Sequence, residues 1–258
     1  MEKAINVNSE IGKLKSVLLH RPGAEVENIT PDTMHQLLFD DIPYLKIAQK
    51  EHDFFAQTLR DNGAETVYIE DLAADVFQTE SVKKDFLARL LHEAGYRPGR
   101  TLEGLTEYLT SMDTKAMVDK IYAGVRKNEL DLKRTVLSDM AGSDAENHFY
   151  LNPLPNAYFT RDPQASMGVG MTINKMTFPA RQPESLITEY VMANHPRFKD
   201  TPIWRDRNHT TRIEGGDELV LNKHTVAIGV SERTSSKTIQ ALAKELFANP
   251  LSTFDTVL

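Results

Sequence analysis

Two short phrases carry residues whose types and spacing could grip a cation. Arg212–Leu221 reads RIEGGDELVL and sets Glu214, Gly215, Gly216, Asp217 and Glu218 directly before an apolar strand. Three carboxylates at a tight glycine turn are costly near a core unless a cation or ordered donors offset them. Upstream, Leu154–Pro163 reads LPNAYFTRDP and closes a strand-like run on another acid, Asp162. A planar guanidinium has five donors in a fixed fork, and two carboxylates can saturate it bidentately. Asp162 and Glu214, at matching ends of two repeated units, are therefore read as one pocket for such a cation. Each acid alone keeps a plainer reading: Asp162 as a turn acid before Pro163, Glu214 as a solvated loop acid.

Other polar residues near these phrases also have two readings. Asn156 follows a proline, where it could serve a turn or a pocket. Phe159 alternates with Tyr158, and core packing is the default for either. Arg181 and Arg233 each precede a helix; each is a surface arginine or a holder of a substrate carboxylate. In LLFDDIPY, Asp40-Asp41 reads as an acidic turn, and function and capping are not separable there. The eight histidines are scattered without metal-ligand spacing. Gly168-x-Gly170 lacks the third glycine and following helix of a dinucleotide fingerprint, and no P-loop is present. There is no cysteine, which excludes disulfides and thiolate metal sites and fits a cytoplasmic protein.

The elements that must position these residues fall into three textures. Lys15–His20 is a short strand closed by Arg21-Pro22-Gly23, and Thr30-Pro31-Asp32 looks like a helix start. Leu45–Asn62 is an amphipathic helix and Glu65–Ile69 a strand. From about Asp71 to Asn147 helix formers dominate. Helices are expected at Val82–Ala94, Leu102–Met112, Ala116–Arg126 and Leu132–Met140, with helices only between Tyr96 and Met140. After Asn152-Pro153 a strand–strand–helix–strand unit runs through Tyr158–Thr160, Ser166–Val169, Met171–Lys175, Pro183–Ala193 and Pro202–Trp204. It repeats as Glu218–Leu221, Thr225–Val230, Ser236–Ala248 and a strand from Thr253. TINK (Thr172–Lys175) and VLNK (Val220–Lys223) are the local echo. The fold class is α/β, with blades around a centre. The segments are 1–70, a first α/β blade region; 71–147, a helical insertion; and 148–258, a second and third blade.

The chain has 258 residues, 40% apolar, enough for a sizeable core. Its net charge is 30 − 37 = −7, with no dense basic run, which argues against nucleic acid or an anionic membrane as partner. No signal peptide or bilayer-spanning apolar run is read, so the sequons at Asn28 and Asn208 are chance matches.

Taken together, SEIGKLKSVLLHRPG (9–23), LLFDDIPY (37–44), LPNAYFTRDP (154–163), TTRIEGGDELVL (210–221) and SERT (231–234) resemble the arginine deiminases of the guanidino-group-modifying enzymes. The resemblance implies a five-bladed α/β propeller with a helical insertion after the first unit. It implies hydrolysis of L-arginine to L-citrulline and ammonia with no cofactor. A cysteine thiolate attacks the guanidinium carbon, a histidine moves protons, and water releases the product. Asp162 then matches the first guanidinium-binding acid and Glu214 the acid beside the catalytic histidine. Asn156, Arg181 and Arg233 match groups holding the amino-acid end, while Phe159 and Leu38 match pocket-lining positions.

The departure from the family is the absence of its cysteine and of its HLD-type histidine phrase. Asp255-Thr256-Val257 lacks a histidine two positions before Asp255 and is more simply a last strand. The expectation is a partial propeller of about three blades, truncated and inactive alone, with exposed edges that favour a homo-oligomer. Two alternatives stay open: a non-catalytic arginine-binding or assembly fragment, and another guanidino enzyme such as an amidinotransferase or methylarginine hydrolase. The helical insertion and LLFDDIPY favour the deiminase over the latter.

Overall fold

The computed structural model describes residues 4–130, 132 and 148–258. Helices and sheets are mixed, and the chain forms two compact units, one of Met1–Leu18, Gly63–Glu65 and Phe159–Leu258, the other of Leu19–Asn62 and Thr66–Tyr158. The division passes through two short paired strands, β1 (Ser16–Leu19) and β2 (Glu65–Tyr68). Among the described residues no helix is long and apolar enough to cross a membrane.

The second unit is mainly helical. It contains α1 (Ala24–Glu27), α2 (Leu45–Asp61), α3 (Ile69–Val76), α4 (Glu80–Glu93), α5 (Arg100–Thr110) and α6 (Thr114–Ala123). Asp113 caps α6 by accepting from Ala116 N at 3.0 Å. Phe77 and Phe86, both buried, stack at 4.3 Å inside this bundle. A two-residue strand, β3 (Val125–Arg126), pairs antiparallel with β4 (Phe149–Leu151). It interrupts the helices-only expectation for Tyr96–Met140, because Gly124 at φ +81 turns the chain out of α6. The helix expected at Leu132–Met140 lies, beyond Leu132, outside the described residues.

No helix starts at Thr30-Pro31-Asp32; the backbone makes successive turns over 31–38. Thr33 Oγ1 bonds both Thr30 N and Thr30 Oγ1, a local alternative to a helical ladder. The turns end at Leu38, whose φ of +64 no helix tolerates.

The other unit holds the two repeats. In the first, β5 (Gln164–Met167) and β6 (Gly170–Ile173) form an antiparallel hairpin, α7 (Gln182–Asn194) crosses over, and β7 (Ile203–Arg205) returns parallel to β6. The second repeats this as β8 (Glu218–Val220), β9 (Thr225–Ile228), α8 (Ser236–Ala248) and β10 (Thr256–Val257). A parallel return needs such a crossover. The repeat is thus real in element order, but TINK ends the second strand of its unit and VLNK the first of its own, so that echo is not structurally equivalent. Tyr158–Thr160 is not a strand. Pro155–Tyr158 forms a 3-10 turn, consistent with the amide donors missing at Pro153 and Pro155. Met167, Trp204, Ile213, Val220, Val226, Ile228, Leu242, Leu246 and Phe254 form the core that serves both repeats.

In the helical unit His20 is buried between two acids. Its Nδ1 lies 3.0 Å from Glu70 Oε2 and its Nε2 3.1 Å from Glu25 Oε1, while the ring stacks on Tyr122 at 4.4 Å. Burial alone would lower the imidazole pKa, but the bonds to both carboxylates outweigh it and raise the pKa from 6.5 to about 9. A raised folded pKa gives stability that is complete below about pH 6.5 and lost as pH climbs through about 9. His20→Gln should therefore cost about 3–5 kcal/mol at pH 6, by leaving buried acids uncompensated. Urea unfolding should show the gap between wild type and variant narrowing by about pH 10. A gap independent of pH would disprove the imidazolium.

Candidate functional site

The loops entering β5 and β8 meet in one place. Asp162, Glu214, Gly216, Asp217, Ser231, Glu232 and Arg233 line a shared pocket. Backbone hydrogen bonds stitch the two loops. The Asp162 carbonyl accepts from Gly215 N at 3.0 Å, and Arg161 Nε donates to the Gly215 carbonyl at 2.9 Å. Arg161 also donates to the Glu218 carbonyl and holds Glu10. Gly215 is required here: a Cβ would run into the backbone oxygens of Arg161 and Gln164. Gly216 faces Asp162 Oδ1, which a Cβ would meet at 2.8 Å.

Each of the two acids already holds a guanidinium. Asp162 Oδ2 accepts from Arg181 Nη1 at 2.8 Å. Arg181 itself is 2% exposed, and its remaining donors reach Glu184 (Nε 3.1 Å, Nη2 2.8 Å) and the Phe159 carbonyl (Nη2 3.3 Å). The surface reading of Arg181 is therefore wrong; it is a buried brace behind Asp162. Glu214, also buried, accepts from Arg233 Nη1 at 3.0 Å through Oε2 and from Thr177 N at 3.1 Å through Oε1. Arg233 has a 42% exposed side chain and lies over the Phe178 ring at 5.1 Å. Asp217 is met by the Ser231 hydroxyl at 2.7 Å, which ties the SERT turn to the glycine loop. Phe159 is 46% exposed, not core.

The third acid of the glycine phrase has no side-chain cation among the described residues. Glu218 is fully buried and accepts from Thr172 Oγ1 at 3.0 Å and Asn174 Nδ2 at 3.1 Å. Burial pushes its carboxyl up to about 7, against those two hydrogen bonds, which pull it down.

Asn156 and Leu38 belong to the helical unit. The Asn156 amide donates to the Leu37 carbonyl at 2.7 Å, beside the left-handed Leu38. Sequence reasoning missed Glu184, Asn174, Ser231 and Glu232. Glu184 was signalled by its i+3 spacing from Arg181 at a helix start; Asn174 and Ser231 had no comparable signal.

A family model described as arginine deiminase matches residues 35–258. The chain belongs to the arginine deiminase family. An arginine deiminase of Lactococcus lactis subsp. lactis is 90% identical over all of this chain, and one of Limosilactobacillus fermentum is 56% identical. The chain spans 63% of the length of each of these relatives. A solved DDAH mutant of Pseudomonas aeruginosa complexed with citrulline covers 96% of this chain and 62% of its own, at 13% identity and a TM-score of 0.49.

The stitching of the two loops is open to a direct check. Gly215→Ala forces backbone against backbone and should destabilise the chain by about 1–3 kcal/mol. Gly12→Ala, whose Cβ would meet only Ser9 at ordinary contact distance, should stay within about 0.5 kcal/mol of wild type. Equal unfolding midpoints for the two variants would contradict this loop geometry.

Proposed function

We propose that this chain forms the guanidinium-gripping part of an enzyme that hydrolyses L-arginine to L-citrulline and ammonia. The observation that carries the reading is that Asp162 and Glu214 line one pocket while each binds an arginine of the chain itself. Side chains that hold internal guanidinium groups in charge-assisted geometry have the chemistry to hold a substrate's. On this reading Asp162 and Glu214 are the catalytic acids that fix the guanidinium carbon for attack. Arg233 exchanges Glu214 for the substrate carboxylate. Phe159 lines the amino-acid end. Arg181, assigned from sequence to the same end, is better explained as the residue that orients Asp162, since its donors already meet three acceptors.

The attacking group is a thiolate, and none of the 258 residues is a cysteine. A hydroxyl would need an activating base, and among the described residues no histidine lines the acid pocket. We therefore assign the chain no turnover of its own. Three blades of a propeller, with 71–147 as a helical insertion, a cytoplasmic setting and self-association complete the proposal. The missing thiol also favours a second reading, a non-catalytic arginine-binding fragment.

The test is a citrulline assay on the purified chain and on a chimera joining it to the part of the Lactococcus lactis relative that it does not cover. The chain should give only the buffer blank and the chimera should turn over. Asp162→Ala in the chimera should lower kcat/KM at least about a hundredfold, since a misplaced reacting carbon costs that much. Turnover by the chain alone would overturn the missing-nucleophile assignment. An active Asp162→Ala chimera would show that the acid is wrongly chosen.

A further inference from the structure

Strand β8 is built against the usual rule. Its first residue, Glu218, is 0% exposed, while the next, Leu219, is 44% exposed. An alternating strand that hides a carboxylate and shows a leucine to solvent sacrifices apolar burial and desolvates a polar group. Sites where local preference is violated this way are where function or strain is expected.

The buried carboxyl has a specific neighbour. Asn174, also 0% exposed, sits just after β6 and uses its amide nitrogen twice. One N–H goes to Glu218 Oε1 at 3.1 Å, the other to the Asp162 carbonyl at 2.9 Å. The amide oxygen has no partner among the described residues. The orientation of the amide is thus set by two acceptors on its nitrogen side; a flipped amide would point oxygen at both. Thr172 Oγ1 fixes the far side of Glu218 at 3.0 and 3.1 Å. The Asp162 carbonyl meanwhile takes its second donor from Gly215 N. Glu218 and Asn174 therefore form a wedge between the two repeats that ends on the backbone of Asp162.

We propose that Asn174 and Glu218 are positioning residues for Asp162, holding its loop at the spacing from Glu214 that a guanidinium needs. Neither touches the pocket; both act through the Asp162 carbonyl. The role rests on the arginine-hydrolysing reading above, so the test has two arms.

The first arm uses the chain itself and needs no catalysis. Asn174→Asp keeps size but replaces both donors by an acceptor facing two acceptors. Amide exchange at Gly215, followed by mass spectrometry over 211–218, should rise at least about tenfold, while the first turn of α8 keeps its protection. Unchanged exchange at Gly215, or equal loosening of α8, would overturn the wedge.

The second arm uses the chimera. Asn174→Asp should lower kcat about 10–100-fold with KM moved by less than about threefold, because placement rather than affinity is lost. Glu218→Gln, which keeps an acceptor oxygen for Asn174, should recover most of the kcat that Glu218→Ala loses. If Glu218→Ala does not fold, Asn174→Asp and Glu218→Gln alone decide. A lowered unfolding midpoint with unchanged kcat would reduce the pair to ordinary core polarity and overturn the proposal. Faster Gly215 exchange with normal kinetics would leave the pair as a tie between the loops and overturn its positioning role. A wild-type chimera that makes no citrulline would defeat the functional reading, leaving the exchange arm to judge the wedge.

Discussion

Taking a carboxylate out of water is the constraint on which the rest of this site depends. The loops before β5 and β8, with the helix start after them, bury Asp162, Glu184, Glu214 and Glu218 partly or wholly. An uncompensated buried charge costs several kcal/mol. Each acid is met differently. Asp162 and Glu184 share one buried guanidinium, Glu214 takes a half-exposed one and a backbone N–H, and Glu218 takes the neutral donors of Thr172 and Asn174. These needs fix the elements around them. Arg181 must sit at the start of α7 to reach both acids, and Thr172 on β6 and Asn174 just after it must reach Glu218. Glycine must occupy 215 so that the loops can hydrogen-bond directly.

The same requirement explains what the sequence could and could not tell. Strands and helices of the two repeats follow from periodicity, because their apolar faces build one core shared by both repeats. Leu45–Asp61 was legible from its 3–4 periodicity, although Ala56 is its one buried residue. Thr30–Asp32 misled because threonine hydroxyls bonded each other instead of starting a helix. The pairing of Asp162 with Glu214 was legible as two acids in equivalent loops. Their actual partners were not, since Arg181 and Arg233 look alike in sequence, each just before a helix. Only the fold makes one a buried brace and the other a half-exposed lid on Glu214. Glu218 was the least legible residue. Alternation would put Leu219 inside, and the register that buries Glu218 is set by pairing with β9, Glu218 opposite Ile228.

The contrast between the two arginines bears on how a ligand would enter. Arg181 has its donors on Glu184, Asp162 and the Phe159 carbonyl in a site 2% exposed. Withdrawing it would strand two acids, a penalty of about 3–5 kcal/mol, so it is a fixed part of the site. Arg233 is held by one carboxylate oxygen and an aromatic face, and its side chain is 42% exposed. Water can take over much of its solvation as it leaves, while Glu214, buried beneath it, cannot be left without a cation. On the proposed reading an incoming arginine supplies that cation as Arg233 departs, so the exchange conserves charge at Glu214 throughout. The freed Arg233 then faces the pocket with a full fork of donors, the geometry that suits the carboxylate at the other end of the same ligand. On the proposed reading, an acid pair with one fixed and one releasable partner gives a site that stays compensated when empty and exchanges one guanidinium for another.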